Sequence, residues 1–381
     1  MSFLTELEAW PAERVRACIE AATVDDVDRA IAREERTPHD LCALLSTAAL
    51  ERLEPMAQEA HRLTRRHFGR VIKMYVPIYI SNVCGADCTY CGYAVRSGNK
   101  EKRLTLTEAE TRRECEVLAA QGFQSLLLLT GEARQAVPPG QIADAVSIAH
   151  EYFPSVSIEV YSLSEDDYRL MVDRGLEGVT LYMETYDKAT YEKVHLKGEK
   201  MDYLFRLDAL DRAGRAGARR LGVGALLGLF DSHIDAFWTA MHARYLQRTC
   251  WQSEVSISFP RLQHTPERFS IPRLVSNQDL VQLMLASRLF LPEAGITIST
   301  RERPPFRDRL IPLGVTMMSA GSSTRPGGYA THGEDTLEQF EVEDTRTPAE
   351  VAAAIRSFGY EPVWKDYDYG FAGVAGTGSI S

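Results

Sequence analysis

Three of the chain's seven cysteines, Cys84, Cys88 and Cys91, fall within the eight residues CGADCTYC. Thiols at that density can staple a loop, bind zinc or hold an iron–sulfur cluster. An odd cysteine count and a reducing setting weigh against disulfides. Structural zinc takes four protein ligands, and the nearest histidines, His67 and His150, stand at no zinc spacing. Three thiolates lacking an obvious fourth partner suit a 4Fe–4S cluster that keeps one iron open to a small molecule. Gly85 and Ala86 let the loop wrap closely, and Gly92 lets it leave.

A loop of this kind needs rigid elements behind it. The chain has 381 residues, 45% of them hydrophobic and 25% charged, an ordinary globular balance. A net charge of −10 argues against non-specific nucleic-acid or anionic-membrane binding. No apolar run reaches the ~18 residues of a membrane span, and the N-terminus lacks an apolar signal core, so a cytoplasmic location is expected. Residues 1–68 read as a helical extension. Eight strand candidates follow, at 71–80, 125–130, 156–162, 178–184, 221–229, 254–259, 295–300 and 314–320. Helical patterns lie between them, near 107–121, 140–152, 164–174, 201–216, 232–247, 277–290 and 302–310. Eightfold alternation predicts a (β/α)8 TIM-type barrel over 69–325, with a doubly wound sheet as the alternative. A C-terminal extension over 326–381 adds a helix at 347–358 and the Gly/Ser-rich tail GFAGVAGTGSIS. CGADCTYC then begins just past the first strand, on the face where barrels carry their chemistry.

The spacing C-x3-C-x2-C, with Tyr90 before the last cysteine, resembles the signature of the radical S-adenosylmethionine enzymes. The resemblance implies that the three thiolates hold three irons and that S-adenosylmethionine chelates the fourth, to be cleaved to a 5′-deoxyadenosyl radical. It also implies cofactor contacts. Thr130, Gly131 and Glu132 resemble the family's Gly-Gly-Glu motif, with Thr replacing the first Gly; Glu132 or adjacent backbone would meet the cofactor's ammonium. An ordinary strand-end turn is the competing reading. Glu159, on a strand where an unpaired charge is costly, would bind ribose hydroxyls or belong to an ion pair. Gly224 in LGVGALLGL would allow close approach of adenine, or only barrel packing. Tyr90 would touch the adenine or pack the loop.

The runs VPIYISNVCGADCTYCGY, LTGE, METYDKATYEKVHLKG, SFPRLQ, ISTRE, FRDRLIPLG and SSTRPGGY span most of 70–330 and resemble the aromatic amino acid lyases of this superfamily. SSTRPGGY, SIEVYS and the C-terminal VWKDYD are most similar to the tyrosine-cleaving branch of thiamine biosynthesis. A tryptophan lyase, or another radical enzyme of the superfamily with a different small substrate, is the runner-up. The hydrogenase-maturing branch carries a further cysteine-bound cluster near its C-terminus, whereas the last cysteine here is Cys250. The implied reaction breaks the Cα–Cβ bond of L-tyrosine, after hydrogen abstraction from its amino group, to give 2-iminoacetate (dehydroglycine) and p-cresol. Implied partners are a thiazole synthase and a reduced flavodoxin or ferredoxin-type donor. Such a pocket needs a cation for the substrate carboxylate, and Arg301 in ISTRE offers a guanidinium fork; pairing with Glu302 is its alternative. Ser319 would add a hydrogen bond or satisfy local backbone. Tyr79 would contact the reacting amine or pack as a strand aromatic. Glu184 and Tyr186 in METY stand behind these. The remaining cysteines, Cys18, Cys42, Cys115 and Cys250, read as structural. A radical site must exclude water, and the N-terminal helices are one candidate for closing it.

Overall fold

In VIKMYVPIYIS the even-numbered Ile72, Met74, Val76 and Ile78 are buried under the surrounding helices. The odd-numbered Lys73, Tyr75, Pro77 and Tyr79 face cavities along the barrel axis. This period-two split defines the inside and outside of the fold. The computed structural model describes residues 2–263, 265–333 and 336–364. Its strands are β1 (Val71–Ser81), β2 (Ser125–Thr130), β3 (Ser155–Glu159), β4 (Gly178–Thr180), β5 (Arg220–Gly224), β6 (Glu254–Ser258), β7 (Gly295–Ile298), β8 (Met317–Ser319) and β9 (Glu361–Val363). All pair in parallel, and β1 bonds both β2 and β8, which closes the eight-stranded barrel expected from the sequence. Buried helices on the outside make it a TIM-type (β/α)8 fold.

Three details depart from the expectation. A ninth strand, β9, pairs with Val71–Lys73 at the start of β1. Several strands stop short: β4 and β8 hold only three residues each. Beyond β4 the chain stays hydrogen-bonded to its neighbour through Leu181 N to the Gly222 carbonyl and Met183 N to the Gly224 carbonyl, as far as the bridge of Glu184 to Ala225, where Glu184 takes φ 69, the one left-handed non-glycine residue among those described. The helical pattern at 201–216 is broken at Asp208 into Tyr203–Leu207 and Ala209–Arg215.

The N-terminal helices do not reach the mouth of the barrel. They lie on its flank, where helix Leu53–Phe68 packs on Asn277–Phe290. Trp238 Nε1 donates to the Trp10 carbonyl at 2.8 Å, and Arg36 donates to the Leu289 carbonyl at 2.9 Å. The mouth is crossed instead by the segment 336–341, which follows β8 and the turn-rich stretch 321–333. The helix read at 347–358 forms over Pro348–Ser357 behind a Thr347–Glu350 capping box. The tail GFAGVAGTGSIS and the end of VWKDYD lie outside the described residues.

Candidate active site

The cysteine loop is clamped from two sides. On one side, Gly85 N donates to the Glu132 carbonyl at 2.7 Å. A Cβ at Gly131 would stand 2.2 Å from the Val83 carbonyl oxygen, so the turn after β2 admits only glycine there. On the other side, Asp87 N donates to the Lys197 carbonyl and Thr89 N to the Val194 carbonyl. The buried Asp87 carboxylate receives Arg268 at 2.8 Å. Tyr90 sits on the cavity wall, but its hydroxyl is held by His195 Nε2 at 2.8 Å. His195 Nδ1 lies 2.9 Å from the Tyr191 carbonyl, which only accepts; Nδ1 therefore carries the proton and Nε2 accepts from Tyr90. Burial pushes the His195 pKa down to about 2, so the ring stays neutral.

Within this clamp the three thiols are desolvated. Burial raises all of them, Cys91 to about 11, and each of Cys88 and Cys91 is raised further by its neighbouring thiols. A buried thiol group keeps its protons unless a strong positive charge takes their place. The loop thus offers three adjacent soft donors and no cation of its own strong enough to ionise them, which fits an iron–sulfur cluster. Among the described residues no three His, Cys, Asp or Glu side chains converge on the point that a single ion requires. The buried Thr130 Oγ1, beside the loop, has no hydrogen-bond partner.

Beside the thiols stands an ionic group of four. Arg206 donates to Glu132 at 2.9 Å and reaches Glu184 at 3.4 Å, and Lys200 donates to Glu184 at 2.7 Å and stands 3.8 Å from Glu132. Lys200 and Arg206 hold the Glu184 carboxyl below its ordinary range against the opposing effect of burial. Neither cation was expected from the sequence. The available signal was the pair of carboxylates at strand ends, which need buried cations nearby.

A cavity of about 910 Å³ opens below, lined by Cys91, Tyr79, Glu159, Lys200, Arg301 and Ser319 among others. Glu302 pairs with Arg261, so the Arg301–Glu302 alternative fails. The Arg301 guanidinium stacks 3.7 Å from the Phe340 ring centre and has no hydrogen-bond partner among the described residues. Glu159 is likewise without one. Burial and the Glu184 charge push its pKa up to about 7, against the pull of Arg301. The Ser319 hydroxyl accepts from Thr300 N at 3.1 Å, and its carbonyl accepts from the buried Arg307. The Tyr79 hydroxyl donates to Gln339 Oε1 at 2.6 Å. Tyr75, Leu127, Tyr182 and Ser258 form the floor, since they also line a small cavity beneath. Gly224 makes room there: its Cβ would meet the Ser258 carbonyl at 2.4 Å and the Tyr182 ring at 2.7 Å. Tyr186 belongs elsewhere. It is buried outside the barrel, with its hydroxyl 2.9 Å from His242 Nδ1 and its ring against Phe3.

The structure thus brings Tyr79, Tyr90, Cys91, Glu159, Arg301 and Ser319 to one cavity. The model of the radical SAM superfamily matches residues 78–242, and that of the biotin and thiamin synthesis associated domain matches 258–361. The 2-iminoacetate synthase of Escherichia coli K12 is 44% identical over 355 residues, 93% of each chain. That of Salmonella typhimurium is 43% identical over the same share. A crystal structure of the FeFe-hydrogenase maturase HydG superposes with a TM-score of 0.87 at 32% identity, covering 94% of this chain and 81% of that one.

Proposed function

The chain belongs to the 2-iminoacetate synthase family of radical SAM enzymes, and from that premise we propose that it cleaves the Cα–Cβ bond of L-tyrosine to 2-iminoacetate and p-cresol for thiazole formation in thiamine biosynthesis. One observation carries the reading of the pocket: the guanidinium of Arg301, unpaired among the described residues, faces a roomy cavity whose wall includes Cys91.

Cys84, Cys88 and Cys91 are the residues to hold the cluster. Bound there with S-adenosylmethionine, it supplies a hydrogen-abstracting 5′-deoxyadenosyl radical. The protein's own residues bind and orient. Arg301, whose guanidinium has no hydrogen-bond partner among the described residues, receives the substrate carboxylate in its fork, an arrangement lysine does not reproduce. Ser319, fixed by Thr300 N and Arg307, adds a hydroxyl beside it. Tyr79 directs its O–H at Gln339 Oε1, so the lone pairs of its oxygen are left for the substrate amino group. The turn Gly131–Glu132 and the Thr130 hydroxyl, unpartnered among the described residues, would receive the cofactor's amino acid end. Gly224, where a Cβ would strike the Tyr182 ring and the Ser258 carbonyl, would leave room for its adenine. Glu159 is free to accept from a ribose or substrate hydroxyl, and Tyr90 walls the cofactor while His195 orients it. A flavodoxin or ferredoxin-type protein is the electron source for this reading, and a thiazole synthase the consumer of its unstable product. No helix among the described residues is long and apolar enough to cross a membrane.

The test is an anaerobic incubation of the reconstituted enzyme with reductant, S-adenosylmethionine and L-tyrosine, read by mass spectrometry. The expected products are p-cresol and 5′-deoxyadenosine. Deoxyadenosine without cresol would overturn tyrosine as the substrate and make L-tryptophan the next compound to try.

A further inference from the structure

The proposed substrate groups Tyr79 and Arg301 stand on different strands. Tyr79 is on β1 and Arg301 follows β7, with β8 between them in the sheet. Two consecutive residues of the 336–341 segment touch both. Gln339 takes the Tyr79 hydroxyl at 2.6 Å, and the Phe340 ring lies 3.7 Å under the Arg301 guanidinium. The segment is itself pinned at several points. Asn82 Nδ2 donates to the Leu337 carbonyl at 3.0 Å, and Leu337 N donates to the Lys102 carbonyl at 3.2 Å. Gln339 N donates to the Thr324 carbonyl, and Thr324 Oγ1 to the Phe340 carbonyl at 2.9 Å. Two of these anchors, Asn82 and Lys102, belong to the connection between β1 and the next helix, which also carries the cysteine loop.

We infer that the 336–341 segment is a strap that sets the spacing and direction of Tyr79 and Arg301, with Gln339 and Phe340 acting as positioning residues. The inference rests on the proposed substrate site. Its chemistry follows from the bonds. The amino and carboxylate groups of an amino acid hang from the same carbon, so their two receptors must keep a fixed separation, and small displacements are costly in rate. Gln339 settles where the Tyr79 proton points: with the O–H directed at Oε1, only the oxygen's lone pairs face the cavity. An N–H placed on those lone pairs is held in one direction, and the hydrogen presented for abstraction is thereby chosen. Phe340 performs a different task. Its face supports a guanidinium that no carboxylate among the described residues holds, and keeps the fork flat toward the cavity. The strap therefore links amine direction and carboxylate grip.

The two roles separate experimentally. In Gln339→Met the acceptor is lost at similar size. The p-cresol formed per 5′-deoxyadenosine should fall about tenfold, while the equilibrium Kd for L-tyrosine, measured by dialysis on the unreduced holoenzyme, should stay within about threefold. Gln339→Glu keeps an acceptor and should restore the ratio. In Phe340→Leu the Kd should rise about tenfold with the ratio kept, and Phe340→Tyr, which retains the ring, should bind as the parent does. Cluster iron and melting temperature are read on each variant, because a merely structural role would lower those and leave the ratio and Kd alone. Parent-like ratio in Gln339→Met together with parent-like Kd in Phe340→Leu overturns the strap. No cresol from the parent enzyme overturns the substrate site first and the strap with it.

Discussion

The two ends of the barrel carry similar charged residues in opposite states. At the end where the strands begin, Lys73 meets Glu254 at 3.3 Å, and Arg220 meets Glu254 at 3.2 Å and Glu177 at 3.4 Å. Ser155 donates to Glu177 at 2.6 Å and accepts from Arg220 at 2.9 Å. The cavities there hold only about 40 and 60 Å³. At the other end, the side chains of Arg301 and Glu159 look into about 910 Å³ with no hydrogen bond to another described residue. A charge in a barrel lumen is costly unless paired. The closed layer meets that demand internally and plugs the barrel. The open layer leaves Arg301 and Glu159 facing a cavity large enough for a ligand.

The largest effect expected is at the thiols. Cys88→Ser should leave a folded barrel but remove cluster iron, its visible absorption and all deoxyadenosine formation; full iron content in that variant would dismiss the loop as the cluster site. Next come the two arginines, which sharpen the comparison when paired. Arg301→Lys should lower kcat/KM for tyrosine by about 100-fold, the loss of a bidentate charged contact worth roughly 2–3 kcal/mol, with an unchanged melting temperature. Arg220→Met should do the reverse. Glu254 keeps Lys73 and Glu177 keeps Ser155, so loss of the shared guanidinium costs about 1–2 kcal/mol after allowance for partial exposure, or a few degrees of melting temperature, while tyrosine KM stays put. If Arg220→Met altered KM and Arg301→Lys altered only melting, the division between closed and open layers would be wrong.

Much of this was legible from residue order. Strand β2 and the position of CGADCTYC appear where periodicity put them, because buried parallel strands read as apolar runs and βα alternation repeats. Arg301 was readable as a strand-end cation, yet whether Glu302 would neutralise it was not; that depended on Arg261, forty residues earlier, reaching Glu302 first. Lys200 and Arg206 escaped notice because ion pairing across a barrel mouth leaves no periodic trace. The N-terminal helices are a candidate for closing the site by their apolar faces alone, but those faces match the outer helices, as the Trp10 ring against Phe237 demonstrates. The segment that does cross the mouth, 336–341, is short and mixed in composition, so only three-dimensional placement could reveal it.

The smallest effect expected tests the open layer from within. Glu159 faces Glu184, Arg301, Lys200 and Arg206, and the hydroxyls of Tyr75, Tyr79 and Tyr182. Burial first and Glu184 second raise its pKa from 4.5 to about 7. The folded protein therefore binds a proton there more tightly than the unfolded chain. Stability from that proton is complete below about pH 4.5 and is lost as pH rises through about 7. Glu159→Gln removes the titration. Its stability in denaturant should equal the parent's near pH 4.5, pull ahead between pH 5 and 7, and level off above, by about 1–3 kcal/mol once cavity solvent is allowed for. A gap that stayed constant from pH 5 to 8 would mean that Glu159 is paired after all, and that the open end of the barrel is as closed as the other.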